Sequence, residues 1–117
     1  MTTVEHEHAM LVDRTCKDGA DIHLDHGNNH LVHMALGIAG EAGELVDVIK
    51  KATIYNRTLD RKNIIEELGD LEWYMQGLRS WLGVTREQVL QYNIEKLNLR
   101  YPQRYTDQAA QERADKA

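Results

Sequence analysis

Apolar residues recur at helical spacing along two long segments of this chain. In the segment from His30 to Thr53 they fall three or four residues apart, the pattern of a helix that buries one face. A second such segment follows Asp60, a residue suited to capping a helix N-terminus, and runs to Leu82. The two apolar stripes are Leu31, Met34, Ala35, Ile38, Ala42, Leu45 and Ile49, and then Ile64, Leu68, Leu71, Met75, Leu78 and Leu82. They predict two long helices that bury these faces.

Shorter elements are predicted on either side of this pair. Residues 3–13 form a helix candidate. Residues 16–29 carry two glycines among Asp and His, which indicates a loop with room for one helical turn. Further on, Thr85 and Gln88 resemble a capping box that opens another helix, which is expected to run through Arg100.

Composition supports an all-α protein, because the chain has a single Pro and is rich in helix-forming residues. The predicted elements suggest an up-and-down helical bundle. At 117 residues the chain fits one domain, residues 1–117, of which 106–117 form a polar, helix-permissive tail. The apolar stripes are wide for so small a chain, which favours further burial in a homo-oligomer.

The charge balance narrows the classes of partner. A net charge of −5 argues against binding a nucleic acid polymer through a general basic surface, although a single nucleotide can be held locally. The one cysteine allows no intrachain disulfide. We recognise no secretory signal at the start, and no apolar run reaches membrane-spanning length. We therefore expect no membrane partner and a cytoplasmic location.

Two acidic pairs lie within the long helical segments: Glu41 with Glu44, and Glu67 with Asp70. The i,i+3 spacing places both members of each pair on one helix face. Either pair alone would be an ordinary solvated face. Brought together, the four carboxylates would repel one another by about 4 kcal/mol per contact at ~4 Å in an effective dielectric of about 20. A divalent cation, Mg²⁺ or else Mn²⁺, would remove that repulsion and create a phosphate-handling site.

Cationic and amide side chains that could bind the phosphates at such a site are also present. Asn93, Lys96 and Arg100 share one face of the last predicted long helix, which suits them to gripping phosphate oxygens. Lys51 lies at the end of the first long helix. There it can either complement the helix dipole or contact phosphate.

Other chemistry is less favoured by the pattern. The six histidines have no cysteine partners and no HExxH motif, so a zinc site is not expected. The acidic motifs lack the Glu-x-x-His pattern of di-iron bundles, and oxygen ligands alone favour Mg²⁺ or Mn²⁺. Trp73, Tyr74 and Trp81 are predicted to be core or interface residues in preference to a base-stacking platform.

Three motifs occur in order along the chain: Gly40-Glu41-Ala42-Gly43-Glu44-Leu45, then Glu66-Glu67-Leu68-Gly69-Asp70-Leu71, then Asn93-Ile94-Glu95-Lys96-Leu97 followed by Arg100-Tyr101-Pro102. Together they resemble the MazG-like nucleotide pyrophosphohydrolases, over about residues 31–113. The segment from Tyr105 to Asp115 looks like the compact single-domain members of that group, including phage-encoded ones.

The resemblance implies an all-α NTP pyrophosphatase fold that works as a homodimer or homotetramer. It also implies Mg²⁺-dependent conversion of a nucleoside or deoxynucleoside triphosphate to the monophosphate and pyrophosphate, in the host cytoplasm for a phage-encoded member. Carried over by position, the catalytic metal ligands would be Glu41, Glu44, Glu67 and Asp70, and the substrate contacts would be Asn93, Lys96 and Arg100, with Lys51 and Tyr101 as further candidates. The alternative is a non-catalytic helical module that binds a nucleotide or a protein through an acidic rim.

Overall fold

The computed structural model describes residues 3–116 and builds them from helices and turns, with no strand in that range. The α-helices are α1 (Val4–Thr15), α2 (His26–Thr53), α3 (Arg61–Leu82), α4 (Arg86–Arg100) and α5 (Asp107–Glu112), and the 3-10 turns are Gly19–Asp21 and Ala114–Lys116. The predicted all-α class is confirmed. Among the described helices, none is long and apolar enough to cross a membrane.

Helix ends follow the capping signals in the sequence. Asp60 accepts a hydrogen bond from the Asn63 amide at 3.1 Å and begins α3. Gly83 ends that helix in the left-handed region, with φ of 71°, which a residue bearing a Cβ rarely adopts. Thr85 and Gln88 form the reciprocal capping box that was predicted.

The start of α2 differs from the prediction. The helix begins at His26, four residues before the predicted His30. Asp25 explains the difference, because its side chain accepts a hydrogen bond from the Asn28 amide at 2.8 Å and its carbonyl accepts one from the Asn29 amide. The helical turn expected in the preceding loop is the 3-10 turn Gly19–Asp21.

The chain divides into two compact units, Met1–His30 and Leu31–Ala117. The described part of the first contains α1, the 3-10 turn Gly19–Asp21 and the first turn of α2, and none of the α1 residues is buried. The second contains the rest of α2 together with α3, α4 and α5. All of the predicted site residues belong to the second unit.

Within the second unit, α2 and α3 pack as an antiparallel pair. A Cβ atom at Gly77 would collide with the Met34 sulfur, and one at Gly37 would collide with the Tyr74 ring. Moving forward along α2 therefore means moving backward along α3. A side chain at Gly37 would meet the rigid Tyr74 ring, so glycine at this position lets the two helices approach closely, whereas the neighbour of Gly77 is the flexible Met34 side chain.

Buried and half-buried positions of this pair form a heptad-like line on each helix, which we call the α2–α3 seam. Successive members are three and four residues apart, as in a coiled-coil interface. They are Leu31, Met34, Ile38, Glu41, Leu45 and Val48 on α2, and Ile64, Glu67, Leu71, Tyr74 and Leu78 on α3. Two acidic residues thus occupy positions of the seam itself.

This seam corrects the predicted stripes. Six residues expected in the core are exposed in the single chain: Ala35, Ala42, Ile49, Leu68, Met75 and Leu82. They form a second apolar line on each helix, with members seven residues apart. Sequence spacing detects both lines but does not tell which one faces the partner helix. Glu41 and Glu67, which are absent from the predicted apolar stripes, lie in the seam. Among residues 3–116, Met34 and Val48 are the only buried apolar side chains.

Candidate active site

Three carboxylates converge where the acidic segments of α2 and α3 meet. Glu41, Glu67 and Asp70 each offer an oxygen that lies within 4.8 Å of the oxygens of the other two. The antiparallel register that sets Gly37 against Tyr74 also brings Glu41, one turn further along α2, opposite Asp70, one turn earlier on α3. The predicted convergence of the two acidic motifs is therefore present in the fold for these three residues.

Glu67 is the most perturbed member of this carboxylate cluster. A hydrogen bond with Glu41 is the largest cause that raises its pKa, to about 7; burial and the charges of Glu41, Asp70 and Glu44 add to it. One of its oxygens, Oε2, is buried and accepts no hydrogen bond within the described structure. Without a cation, the cluster relieves its repulsion by holding a proton near neutral pH.

The donor set fits a hard divalent cation. All three residues offer carboxylate oxygens, the ligands that Mg²⁺ and Mn²⁺ prefer. The unsatisfied Oε2 of Glu67 is an acceptor in need of a positive partner, since a buried polar atom left alone is costly. Divalent-cation dependence is typical of the family this sequence resembles, and the residues present are suited to it.

Glu44, the fourth predicted ligand, stands apart from the cluster. Its side chain is exposed, and it does not belong to the group whose oxygens approach one another. It is near enough to raise the pKa of Glu67 through its charge. Its role as a ligand stays a prediction.

A cavity of about 320 Å³ opens beside the cluster and is lined by Glu41, Asp70, Trp73 and Tyr74. Trp73 is 63% exposed and meets the Tyr74 ring edge-on, with 4.9 Å between centroids. Trp73 therefore lies outside the core of the single chain, and its place at an interface stays a prediction. Its i,i+3 spacing from Asp70 was the signal that could have placed it on the acidic face of α3.

Lys51 is engaged by a neighbour on its own helix. Its Nζ lies 2.8 Å from an Asp47 oxygen, and this hydrogen bond is the main cause that raises the Lys51 pKa and lowers the Asp47 pKa. Both side chains are about half exposed, so the pair adds little to stability. The charge of Glu44 also acts on Lys51, which places this lysine near the exposed edge of the acidic region.

Asn93 and Lys96 lie together on α4, as predicted. They line a groove of about 560 Å³ with Tyr92, Leu99 and the C-terminal residues Asp115 and Lys116, among others. No residue is common to the linings of this groove and of the cavity beside Glu41. The described chain therefore brings together three acidic residues at one place and Asn93 with Lys96 at another.

Arg100 and Tyr101 have partners in the C-terminal segment. The Arg100 guanidinium forms two hydrogen bonds with the Asp115 carboxylate, at 2.8 and 3.1 Å. The Tyr101 ring packs against Tyr105 with 5.4 Å between centroids. Sequence reasoning missed the role of Asp115, because the partners are fifteen residues apart and no local pattern links them.

Comparison with known proteins identifies the class. Residues 30–105 match the MazG nucleotide pyrophosphohydrolase domain, and the chain belongs to this family. This match confirms the resemblance seen in the acidic and basic motifs.

A phage protein is among the relatives. Gene 37 protein of Mycobacterium phage L5 is 34% identical to the chain over 74 residues, which are 60% of this chain. The matched part covers 65% of that protein, somewhat less than two thirds of its length. No solved structure matches the chain.

Proposed function

We propose that this protein is a divalent-cation-dependent pyrophosphohydrolase that converts a nucleoside or deoxynucleoside triphosphate to the monophosphate and pyrophosphate. The observation that carries the proposal is the convergence of Glu41, Glu67 and Asp70 around a buried, unsatisfied oxygen. A helical module that needed only an acidic rim would have no reason to place carboxylates in its seam. Membership of the family supports the reaction class.

The carboxylate cluster would hold the cation, with Mg²⁺ favoured and Mn²⁺ as a substitute. When bound, such a cation supplies Lewis acidity, which neutralises phosphate oxygens and acidifies a water molecule. The chain contributes preorganisation, because Glu41 and Glu67 are fixed by helix packing and need not be ordered when substrate arrives. Because its pKa is raised to about 7, Glu67 is part-ionised near neutral pH, and binding of a cation would favour its ionised form.

The remaining side chains have separate tasks in this proposal. Glu44 is exposed beside the cluster and is free to accept the proton of the attacking water as general base. Trp73 offers an accessible ring at the cavity rim, on which a nucleobase can stack. Lys96, with Asn93 beside it, neutralises charge on the phosphates. Lys51 is a further anion contact.

A second copy of the chain completes the fold in this proposal. The second apolar line includes Leu68, Met75 and Leu82, which are 48%, 37% and 58% exposed. Apolar positions seven residues apart on a helix are the pattern of a helix–helix interface. We infer that these lines pack in a homodimer or homotetramer. Light scattering should give a multiple of 13.5 kDa for the native protein, and Leu68→Glu should shift it toward the monomer.

The kinship with a phage protein favours action on the nucleotide pool of an infected bacterium, in the host cytoplasm. In this proposal the shape of the cavity beside Trp73 would set the base and sugar preferences.

A nucleotide panel tests the proposed reaction. The purified protein is incubated with each NTP and dNTP in Mg²⁺, and monophosphate and pyrophosphate are quantified. We expect equal amounts of both products from at least one nucleotide, and no products in EDTA. Nucleotide binding without products from any of them would instead support a non-catalytic binding module.

A further inference from the structure

Arg100 and Asp115 form the most enclosed ion pair among the described residues. Nε and Nη2 of Arg100 donate to the two oxygens of Asp115 at 2.8 and 3.1 Å, a fork-to-fork geometry. The Asp115 side chain is 2% exposed and the Arg100 side chain 16%. Opening such a pair would leave an enclosed charge without its partner, which is costly, so the contact resists opening.

Local contacts shape the C-terminal segment so that Asp115 returns to α4. Thr106 caps α5 by accepting from the Ala109 amide at 3.0 Å. Arg113 ends α5 in the left-handed region with φ of 50°, which turns the chain back into the 3-10 turn Ala114–Lys116. A residue with a side chain adopts this conformation at a cost, so the surrounding contacts must sustain it.

The returned segment forms part of a wall around the proposed phosphate contacts. Asp115 and Lys116 line the same groove as Asn93 and Lys96. The guanidinium of Arg100 is meanwhile directed at Asp115, and this pairing raises the Arg100 pKa and lowers that of Asp115. The family resemblance assigns Arg100 to phosphate binding, but in this structure Arg100 is paired with the Asp115 carboxylate.

We propose that Asp115 is a positioning residue, which clasps the C-terminal segment to α4 through Arg100 and so builds the wall of the groove that holds Asn93 and Lys96. Arg100 then serves nucleotide binding through Asp115 and does not grip phosphate itself. The proposal rests on the proposed function, in which Asn93 and Lys96 meet the triphosphate.

The variant Asp115→Asn distinguishes the proposed clasp from direct binding of phosphate by Arg100. The substitution keeps the size of the side chain and leaves the Arg100 cation in place without its counter-charge. A clasp predicts that KM for the nucleotide rises by about 10-fold, the scale of losing one charge-assisted hydrogen bond, with a smaller change in kcat. Amide hydrogen exchange across residues 107–116 should accelerate at the same time. If Arg100 gripped phosphate directly, freeing it would leave KM unchanged or lower it.

Two further variants test whether the effects come from the Arg100–Asp115 pair itself. Glu112→Gln is the matched control, because Glu112 is an exposed acid of the same segment that accepts from Gln108 and has no link to Arg100. It should change neither KM nor exchange. The charge-swapped double variant Arg100→Asp with Asp115→Arg should restore both the slow exchange and the low KM. Restored exchange with a KM as high as that of Arg100→Asp alone would overturn the proposal.

Exchange also distinguishes the two proposals from each other. If the wild-type protein hydrolyses no nucleotide, the proposed function fails, yet faster exchange of residues 107–116 in Asp115→Asn would still establish the clasp. Unchanged exchange in Asp115→Asn, together with an unchanged KM, would refute the clasp in an active enzyme.

Discussion

Two parts of the α2–α3 seam solve the same packing problem in opposite ways. In the glycine part, Gly37 admits the Tyr74 ring and Gly77 admits the Met34 side chain, so the helices close tightly over apolar atoms. In the acidic part, the seam positions are Glu41 and Glu67, which bring like charges together and leave a buried oxygen unsatisfied. The register is continuous, so the glycine part fixes the geometry of the acidic part.

The difference shows where stability has been traded for chemistry. An apolar pair at the acidic positions would be favourable, since buried charges cost free energy unless they are compensated. The chain instead keeps carboxylates there and raises the pKa of Glu67 to about 7. Perturbed carboxyl groups in a fixed cluster beside a cavity are typical of a functional site.

The largest effect on activity is expected from substitutions in the acidic part of the seam. Glu67→Gln or Asp70→Ala should lower kcat/KM by about 1,000-fold, because losing a cation ligand removes several kcal/mol of charge stabilisation. Helicity by circular dichroism should be unchanged, and Glu67→Gln in EDTA should be at least as stable as the wild type, because it removes repulsion.

The control for these variants is Glu66→Gln, the same chemical change one residue earlier on an exposed position outside the cluster. It should retain the activity of the wild type. Near-normal turnover by Glu67→Gln and Asp70→Ala would show that the cluster does not perform the chemistry.

A smaller effect is expected from a substitution in the glycine part of the seam. Gly37→Ala should destabilise the fold by about 1–3 kcal/mol in urea titrations, because the new methyl group collides with the Tyr74 ring and forces overpacking. Activity should fall as well, since the displaced register separates the carboxylates.

Gly40→Ala offers the matched comparison. Nothing lies within 4 Å of a Cβ at Gly40 in the described chain, so the substitution should raise stability by up to about 1 kcal/mol through helix propensity. If Gly37→Ala were as stable as Gly40→Ala, the glycine part would not set the register of the seam.

A third effect concerns pH. The pKa of Glu67 is raised from 4.5 to about 7, so the folded protein binds a proton that the unfolded chain releases. In EDTA, this group therefore favours folding fully below about pH 4.5, and its contribution is lost as pH rises through about 7. Denaturant titrations at low and high pH should show this loss in the wild type. A loss of the same size in Glu67→Gln would assign it to other groups.

Much of the fold could be predicted from the sequence because its signals are local. Asp60, Gly83 and the Thr85–Gln88 box set helix ends through neighbours a few residues away. The direction of each apolar face was harder, since Leu68 and Leu71 satisfy helical spacing equally and only the register of two helices decides which is covered.

The candidate site also has a part that could be predicted from local sequence and a part that could not. The i,i+3 acidic motifs predicted the cluster of Glu41, Glu67 and Asp70, because a seam between two antiparallel helices must bring them together. The partner of Arg100 could not be predicted, since Asp115 reaches it only through the left-handed turn at Arg113. Non-local contacts of this kind depend on the three-dimensional path of the chain.

An anomalous difference map tests the central claim most directly. Crystals grown with Mn²⁺ and a non-hydrolysable nucleoside triphosphate should show a peak within coordination distance of Glu41, Glu67 and Asp70, with the triphosphate oxygens on its open side. A bound nucleotide with no peak at these carboxylates, or with Mn²⁺ held elsewhere, would contradict the assignment of this cluster as the metal centre.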